Sequence, residues 1–215
     1  MSVTPYSRQH IDKKDILSVS NALAKDLITT GPNVSLFEKM LARYCKSKYA
    51  ISVNSATSAL HLACLGLGLM KNDYVWCSAN SFVASSNAAL YCGAKVDFVD
   101  INLKNYNICS KKLEEKLKKT NKKKIPKILI VTHIGGVPAD MSKINILSKK
   151  YKFKIIEDAS HALGSIYKKN KIGSCKFSSI CVFSFHPIKT ITTGEGGACL
   201  TNNKKLNEKI TALRS

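Results

Sequence analysis

Ile128-Leu129-Ile130-Val131-Thr132, a helix-period segment over 141–151, and then Phe153-Lys154-Ile155-Ile156-Glu157 decide the fold. The first run is apolar at four successive positions, so no face of it is left for water. A strand covered on both faces belongs to a sheet flanked by helices, typically a parallel one. The segment between the two runs is long enough for a crossover helix. Strand, helix, strand is therefore the unit.

Outward from this unit the alternation continues. Strands are expected over 50–53, 74–77, 96–99, 128–132, 153–157, 179–185 and 198–201. Helical patterns fall over 12–26, 35–44, 57–67, 81–91, 110–120, 141–151 and 204–213. The reading is an α/β domain with a mainly parallel sheet and helices on both faces. Only a loop separates the last two strands, which leaves antiparallel pairing open. Residues 206–215 read as a helix with no Gly or Pro stop, so the chain is expected to end within an element, as a fragment would.

The composition agrees with a globular protein. Of 215 residues, 45% are hydrophobic and 22% charged, which excludes disordered and collagen-like classes. The longest nearly apolar run, 58–70, is interrupted by His61 and is shorter than the roughly 20 residues of a membrane span. Residues 1–15 hold no apolar signal segment. Eight cysteines lie scattered, mostly within apolar runs and without a CxxC pair. They read as reduced, buried thiols of a cytoplasmic protein, with no metal site.

The net charge is +20, carried by 31 lysines against Arg8, Arg43 and Arg214. Nine lysines crowd into 111–127. Arginines for bidentate base contacts and aromatics for stacking are missing there, so the stretch reads as a solvated helix face and loop, not a nucleic-acid surface. Attraction of anionic small molecules is compatible with it.

Chemistry in such a sheet gathers beyond the carboxyl ends of the strands. Three polar clusters fall there. Asn54-Ser55-Ala56-Thr57-Ser58-Ala59 offers small residues and a helix start, suited to phosphate or simply to an N-cap by Ser55 or Thr57. Glu157-Asp158-Ala159-Ser160-His161 closes an apolar strand with an acid, which can hold a proton on a heterocyclic nitrogen or cap a turn. Ser184-Phe185-His186-Pro187-Ile188-Lys189 leads into Gly194-Glu195-Gly196-Gly197 and places one lysine among hydroxyls after a buried strand. A desolvated lysine with a depressed pKa is what Schiff-base chemistry requires. Phosphate cradle, Asp158 and Lys189 together make the parts of a pyridoxal 5'-phosphate site. Their order suits the large domain of the aspartate-aminotransferase-like (type I) fold.

The same blocks, with Thr29-Thr30-Gly31-Pro32 and Ser81-Phe82-Val83-Ala84-Ser85, resemble the DegT/DnrJ/EryC1/StrS sugar aminotransferases through nearly the whole chain. The forms Asp158-Ala159-Ser160-His161-Ala162-Leu163-Gly164 and 184–197, with the Tyr6 start, are most similar to a subgroup of pseudaminic acid biosynthesis. The resemblance implies that residues 1–215 make an N-terminal segment plus the cofactor-binding large domain, without the family's small C-terminal domain. It implies transamination of a UDP-linked 4-keto-6-deoxy-N-acetylhexosamine with L-glutamate as donor and 2-oxoglutarate as product, in a protein that is a homodimer when full length; the alternative is an inactive truncated fragment of such an enzyme. Lys189 would hold the cofactor and move the proton. Asp158 would pair with the ring nitrogen, Phe82 would stack on the ring, and His161 would sit beside it. Ala56, Thr57 and Ser184 would bind the phosphate. Tyr6 and Asp26-Leu27-Ile28-Thr29 would border the sugar nucleotide. Related sugar dehydratases carry histidine in place of the lysine, and Lys189 argues against that chemistry, although His186 is three residues away.

Overall fold

A computed structural model describes residues 7–214. The N-terminal part is helical: α1 spans Lys13–Leu23 and α2 spans Pro32–Cys45. Asp12 caps α1 by accepting the Lys14 and Asp15 N–H groups, while Asp15 returns a bond to the Asp12 N–H. There follow β1 Tyr49–Val53, α3 Ala56–Gly66, β2 Tyr74–Ser78, α4 Ala84–Tyr91 and β3 Lys95–Val99. Then come α5 Ser110–Lys119, β4 Ile128–Thr132, α6 Met141–Tyr151 and β5 Lys154–Asp158. A short hairpin of β6 Ile166–Tyr167 and β7 Asn170–Lys171 precedes β8 Ile180–Ser184, β9 Gly197–Thr201 and α7 Lys204–Arg214.

Seven strands form one sheet in the order β1-β9-β8-β5-β4-β2-β3. All its pairings are parallel except the two made by β9. Because β9 alone is reversed, the carboxyl ends of β1, β2, β4, β5 and β8 share one edge, and the amino end of β9 meets them there. In register, Val53 and Ser184 both oppose Gly197.

The two faces are separate cores. Ile51, Val75, Ile128, Ile130, Ile156, Ile180 and Val182 pack beneath α3, α4 and α7. Trp76, Leu129, Val131 and Ile155 pack beneath α5 and α6, and Phe183 and Leu200 beneath α2. Each fully buried aliphatic side chain stabilises by about 1.5–3 kcal/mol. α5 shows how the lysine-rich stretch folds: Leu113 and Leu117 are buried, while Lys112 and Lys116 pair with Asp100 and Asp97 and Lys118 with Glu114. Burial pushes the Cys45, Cys77 and Cys199 thiols up to about 12.

Element bounds differ from the sequence reading, and α2 begins three residues early, at Pro32. α1 stops at Leu23, where the polar Ala24-Lys25-Asp26 turn begins. α4 starts at Ala84, because Ser81, Phe82 and Val83 form its approach and leave Phe82 exposed. The hairpin β6–β7 is too short to register as a pattern. No helix among the described residues is long and apolar enough to cross a membrane.

Candidate functional site

Asp158 ends β5 and is 3% exposed. Its carboxylate is held on both oxygens. Ser85 Oγ donates to Oδ2 at 2.6 Å, and Ser160 donates to Oδ1 through Oγ at 2.7 Å and through its N–H at 3.3 Å. Ser85 sits in the first turn of α4, 73 residues away in sequence. Neither serine stands out as a site residue in the sequence. The Ser85 block contains it, but only the fold brings it to the acid.

The next strand, β8, carries Ser184 at its end, where the hydroxyl accepts the His186 N–H at 3.4 Å. Lys189 follows in a loop folded back on itself: Phe185 O accepts the Thr193 N–H and the Thr192 hydroxyl, and Thr192 Oγ1 accepts the Gly194 N–H. Loss of solvent around its amine lowers Lys189 below the ordinary 10.5, with Asp158 pulling it the other way. His161, in the turn after β5, is lowered by loss of solvent and then by Lys189, while Asp158 raises it. Lys189, His161 and Asp158 therefore lie within electrostatic reach of one another.

The start of α3 completes the edge. Ser55 is its N-cap: its Oγ accepts the Ser58 N–H and its carbonyl the Ala59 N–H. Among the described residues the Ala56 and Thr57 N–H groups have no acceptor. Helix N-termini with free N–H groups favour anions. Gly197 makes this arrangement possible. A Cβ there would collide with the Ser55 carbonyl carbon and stand 2.5 Å from Ala56 N. β9 can thus lie directly against the turn that opens α3.

Phe82, immediately before α4, is 72% exposed, with its ring free for stacking. Asp26, Leu27, Ile28 and Thr29 form the exposed connection between α1 and α2; among the described residues no hydrogen bond or ion pair ties them to Asp158 or Lys189. Tyr6 lies outside the described residues. The neighbouring Ser7 hydroxyl donates to Ile188 O at 3.2 Å, which brings Ser7 onto the lysine loop. Among the described residues no group of His, Cys, Asp or Glu is placed to hold a metal ion.

The model of the DegT/DnrJ/EryC1/StrS aminotransferase family matches residues 9–215. The UDP-4-amino-4,6-dideoxy-N-acetyl-beta-L-altrosamine transaminase of Campylobacter jejuni is 48% identical over 210 residues, covering 98% of this chain and 54% of that protein. Helicobacter pylori PseC, an aminotransferase involved in the biosynthesis of pseudoaminic acid, superposes with a TM-score of 0.91 at 35% identity, over 98% of this chain and 55% of its own. NtdA from Bacillus subtilis, solved with bound cofactor PMP, gives a TM-score of 0.82 at 33% identity, over 93% of this chain and 45% of its own. The chain spans about half the length of these proteins.

Proposed function

The chain belongs to the DegT/DnrJ/EryC1/StrS aminotransferase family, and from that premise we propose that it binds pyridoxal 5'-phosphate through Lys189 and transaminates a UDP-linked 4-keto-6-deoxy-N-acetylhexosamine. L-Glutamate is the amino donor in this reading and 2-oxoglutarate its product. Its fold is the aspartate-aminotransferase-like large domain of the type I transferases. The substrate reading rests on the names of the Campylobacter and Helicobacter relatives, and the cofactor on the NtdA neighbour.

The observation that carries the proposal is one sheet edge bearing a buried, doubly held carboxylate, a desolvated lysine and two free helix N–H groups. These fit the cofactor's chemistry: an anion acceptor, a partner for a protonated ring nitrogen and a reactive amine. Ala56, Thr57 and Ser184 would take the phosphate, Asp158 the ring nitrogen, and Phe82 the ring face, with His161 beside it. When bound, the cofactor supplies an electron sink that makes the carbon bearing the nitrogen acidic. The chain supplies the rest. Lys189, with a lowered pKa, holds more neutral amine near neutral pH than a surface lysine does. It can therefore take the proton from the donor's α-carbon and deliver one to C4 of the sugar. Ser85 and Ser160 prevent the Asp158 carboxylate from turning away. Tyr6 and Asp26–Thr29 would border the sugar nucleotide.

We place the protein in the cytoplasm and read it as a homodimer. Its eight free cysteines support the first. The second is supported by α1, which buries none of its residues and leaves Ile16, Leu17, Val19 and Leu23 exposed.

The test is an absorbance spectrum of the protein with added pyridoxal phosphate, beside Lys189→Ala. A visible band in the parent, fixed by borohydride and missing from the variant, is the expected result. A folded parent without the band would overturn cofactor binding by these 215 residues and favour the inactive-fragment reading. With the band present, glutamate and UDP-4-keto-sugar turnover tests the substrate.

A further inference from the structure

Directly behind Asp158, on the other face of the sheet, lies a buried polar pair that the proposed chemistry does not use. Successive strand residues face opposite sides, so Glu157 points away from Asp158. His133 is fully buried and Glu157 is 4% exposed. His133 Nε2 and Glu157 Oε2 are 2.8 Å apart, and Ser178 Oγ donates to Glu157 Oε1. The Ala139 N–H donates to His133 Nδ1 at 3.2 Å, which puts the ring proton on Nε2 and makes His133 the donor to Glu157. The imidazole is thus clamped at both nitrogens.

From this clamp two paths lead to the front of the sheet. The backbone N–H of His133 donates to the backbone carbonyl of Asp158 itself at 3.1 Å. His133 also opens the loop over 133–140. In that loop Gly136, with φ +79°, packs so closely under the turn after β5 that a Cβ would stand 2.7 Å from the His161 carbonyl oxygen. Ser165 Oγ, farther along that turn, donates to Gly136 O at 2.7 Å. The loop is therefore the seat of His161. Replacing both partners of a buried hydrogen-bonded pair by apolar groups of similar shape can be nearly neutral or stabilising, so stability alone does not account for this one.

We propose that His133 and Glu157 are positioning residues that set Asp158 through its backbone and His161 through the 133–140 loop. The inference rests on the function proposed above for its consequence, but not for its geometry.

The experiment compares the parent with His133→Leu/Glu157→Leu, which removes the clamp while keeping an apolar filling, and with Glu157→Gln, which keeps an acceptor for His133. Two readouts are taken. One is the titration of the His161 imidazole by NMR in the cofactor-free protein, where Lys189 and Asp158 are the charges facing it. The other is the affinity for pyridoxal phosphate, read from the visible band. In the folded double variant the His161 midpoint is expected to rise toward that of an ordinary histidine, and cofactor affinity to fall tenfold or more. Glu157→Gln is expected to stay close to the parent in both. A folded double variant with a parent-like His161 titration would overturn the proposal. A parent that binds no cofactor would overturn the function instead, and the His161 titration would still decide the positioning. If the double variant does not fold, Ser178→Ala replaces it, with a smaller rise of the His161 midpoint expected; no rise there overturns the proposal.

Discussion

At the scale of the residue, Lys189 is selected from 31 lysines by its surroundings. Its amine is lowered by loss of solvent, and Asp158 is the one opposing influence. Between the lowered value and the ordinary 10.5, the unfolded chain binds more protons than the folded one. The contribution of Lys189 to stability is therefore weakest at low pH, rises through that window and is complete above it. Reactivity follows the same sign. Amine labelling followed by peptide mass spectrometry should place the half-labelling pH of Lys189 below that of the exposed lysines. Asp158→Asn removes the only raising influence and should move it lower still; a midpoint shared with the surface lysines would refute the desolvated amine. Ser85 offers a second test. Ser85→Ala leaves Asp158 Oδ2 without its 2.6 Å bond in a buried setting, a loss of about 1–3 kcal/mol. Denaturant unfolding should register that loss, and cofactor affinity should drop with it. An unchanged affinity would mean that Ser160 alone fixes the carboxylate.

At the scale of the element, the site is made by the ends of strands, and this is why part of it could be read from the sequence. Asp158 and Lys189 follow apolar runs, and a residue that follows such a run lies at the ligand edge whatever the strand order. Ser85 as a partner of Asp158 could not be read that way, since a contact spanning 73 residues leaves no local period; Ser160, two residues on, makes a local turn contact that only the capping reading of this block covers. The His133–Glu157 pair is hidden for the same reason: each member sits beside a strand end, but only the β4–β5 register brings them together. A loop between β8 and β9 leaves the direction of β9 open, and no local pattern marks its insertion between β1 and β8. That insertion is what demands Gly197. Gly197→Ala should force β9 and the α3 turn apart, since the new Cβ meets backbone that cannot rotate away. Overpacking of this kind costs about 1–3 kcal/mol. Its signature is a loss of phosphate affinity larger than the loss of stability explains, measured with inorganic phosphate or pyridoxal phosphate against thermal unfolding. Affinity equal to the parent's would remove the α3 start from the phosphate site.

At the scale of the whole molecule, the surface is divided between charge and exposed apolar residues. Three lysines of α5, Lys112, Lys116 and Lys118, pair locally with Asp100, Asp97 and Glu114. The apolar side chains of α1 have no such account. Ile16, Leu17, Val19 and Leu23, with Leu27 and Ile28 beyond them and Leu36 and Met40 on α2, stand in solvent. Leaving that many aliphatic groups wet forfeits roughly 1.5–3 kcal/mol for each one that could be fully buried. A second copy of the chain is the partner that the homodimer reading supplies. Sedimentation equilibrium should then give a mass of twice 23.6 kDa at micromolar concentration. Leu17→Lys with Leu23→Lys alters only exposed positions, so the fold of each copy should survive within about 0.5 kcal/mol. The dimer should weaken at least tenfold, because each lysine would have to be desolvated on association. A parent that sediments at 23.6 kDa throughout would show that α1 is not a sufficient contact between copies of this chain. A dimer indifferent to both lysines would move the contact away from α1.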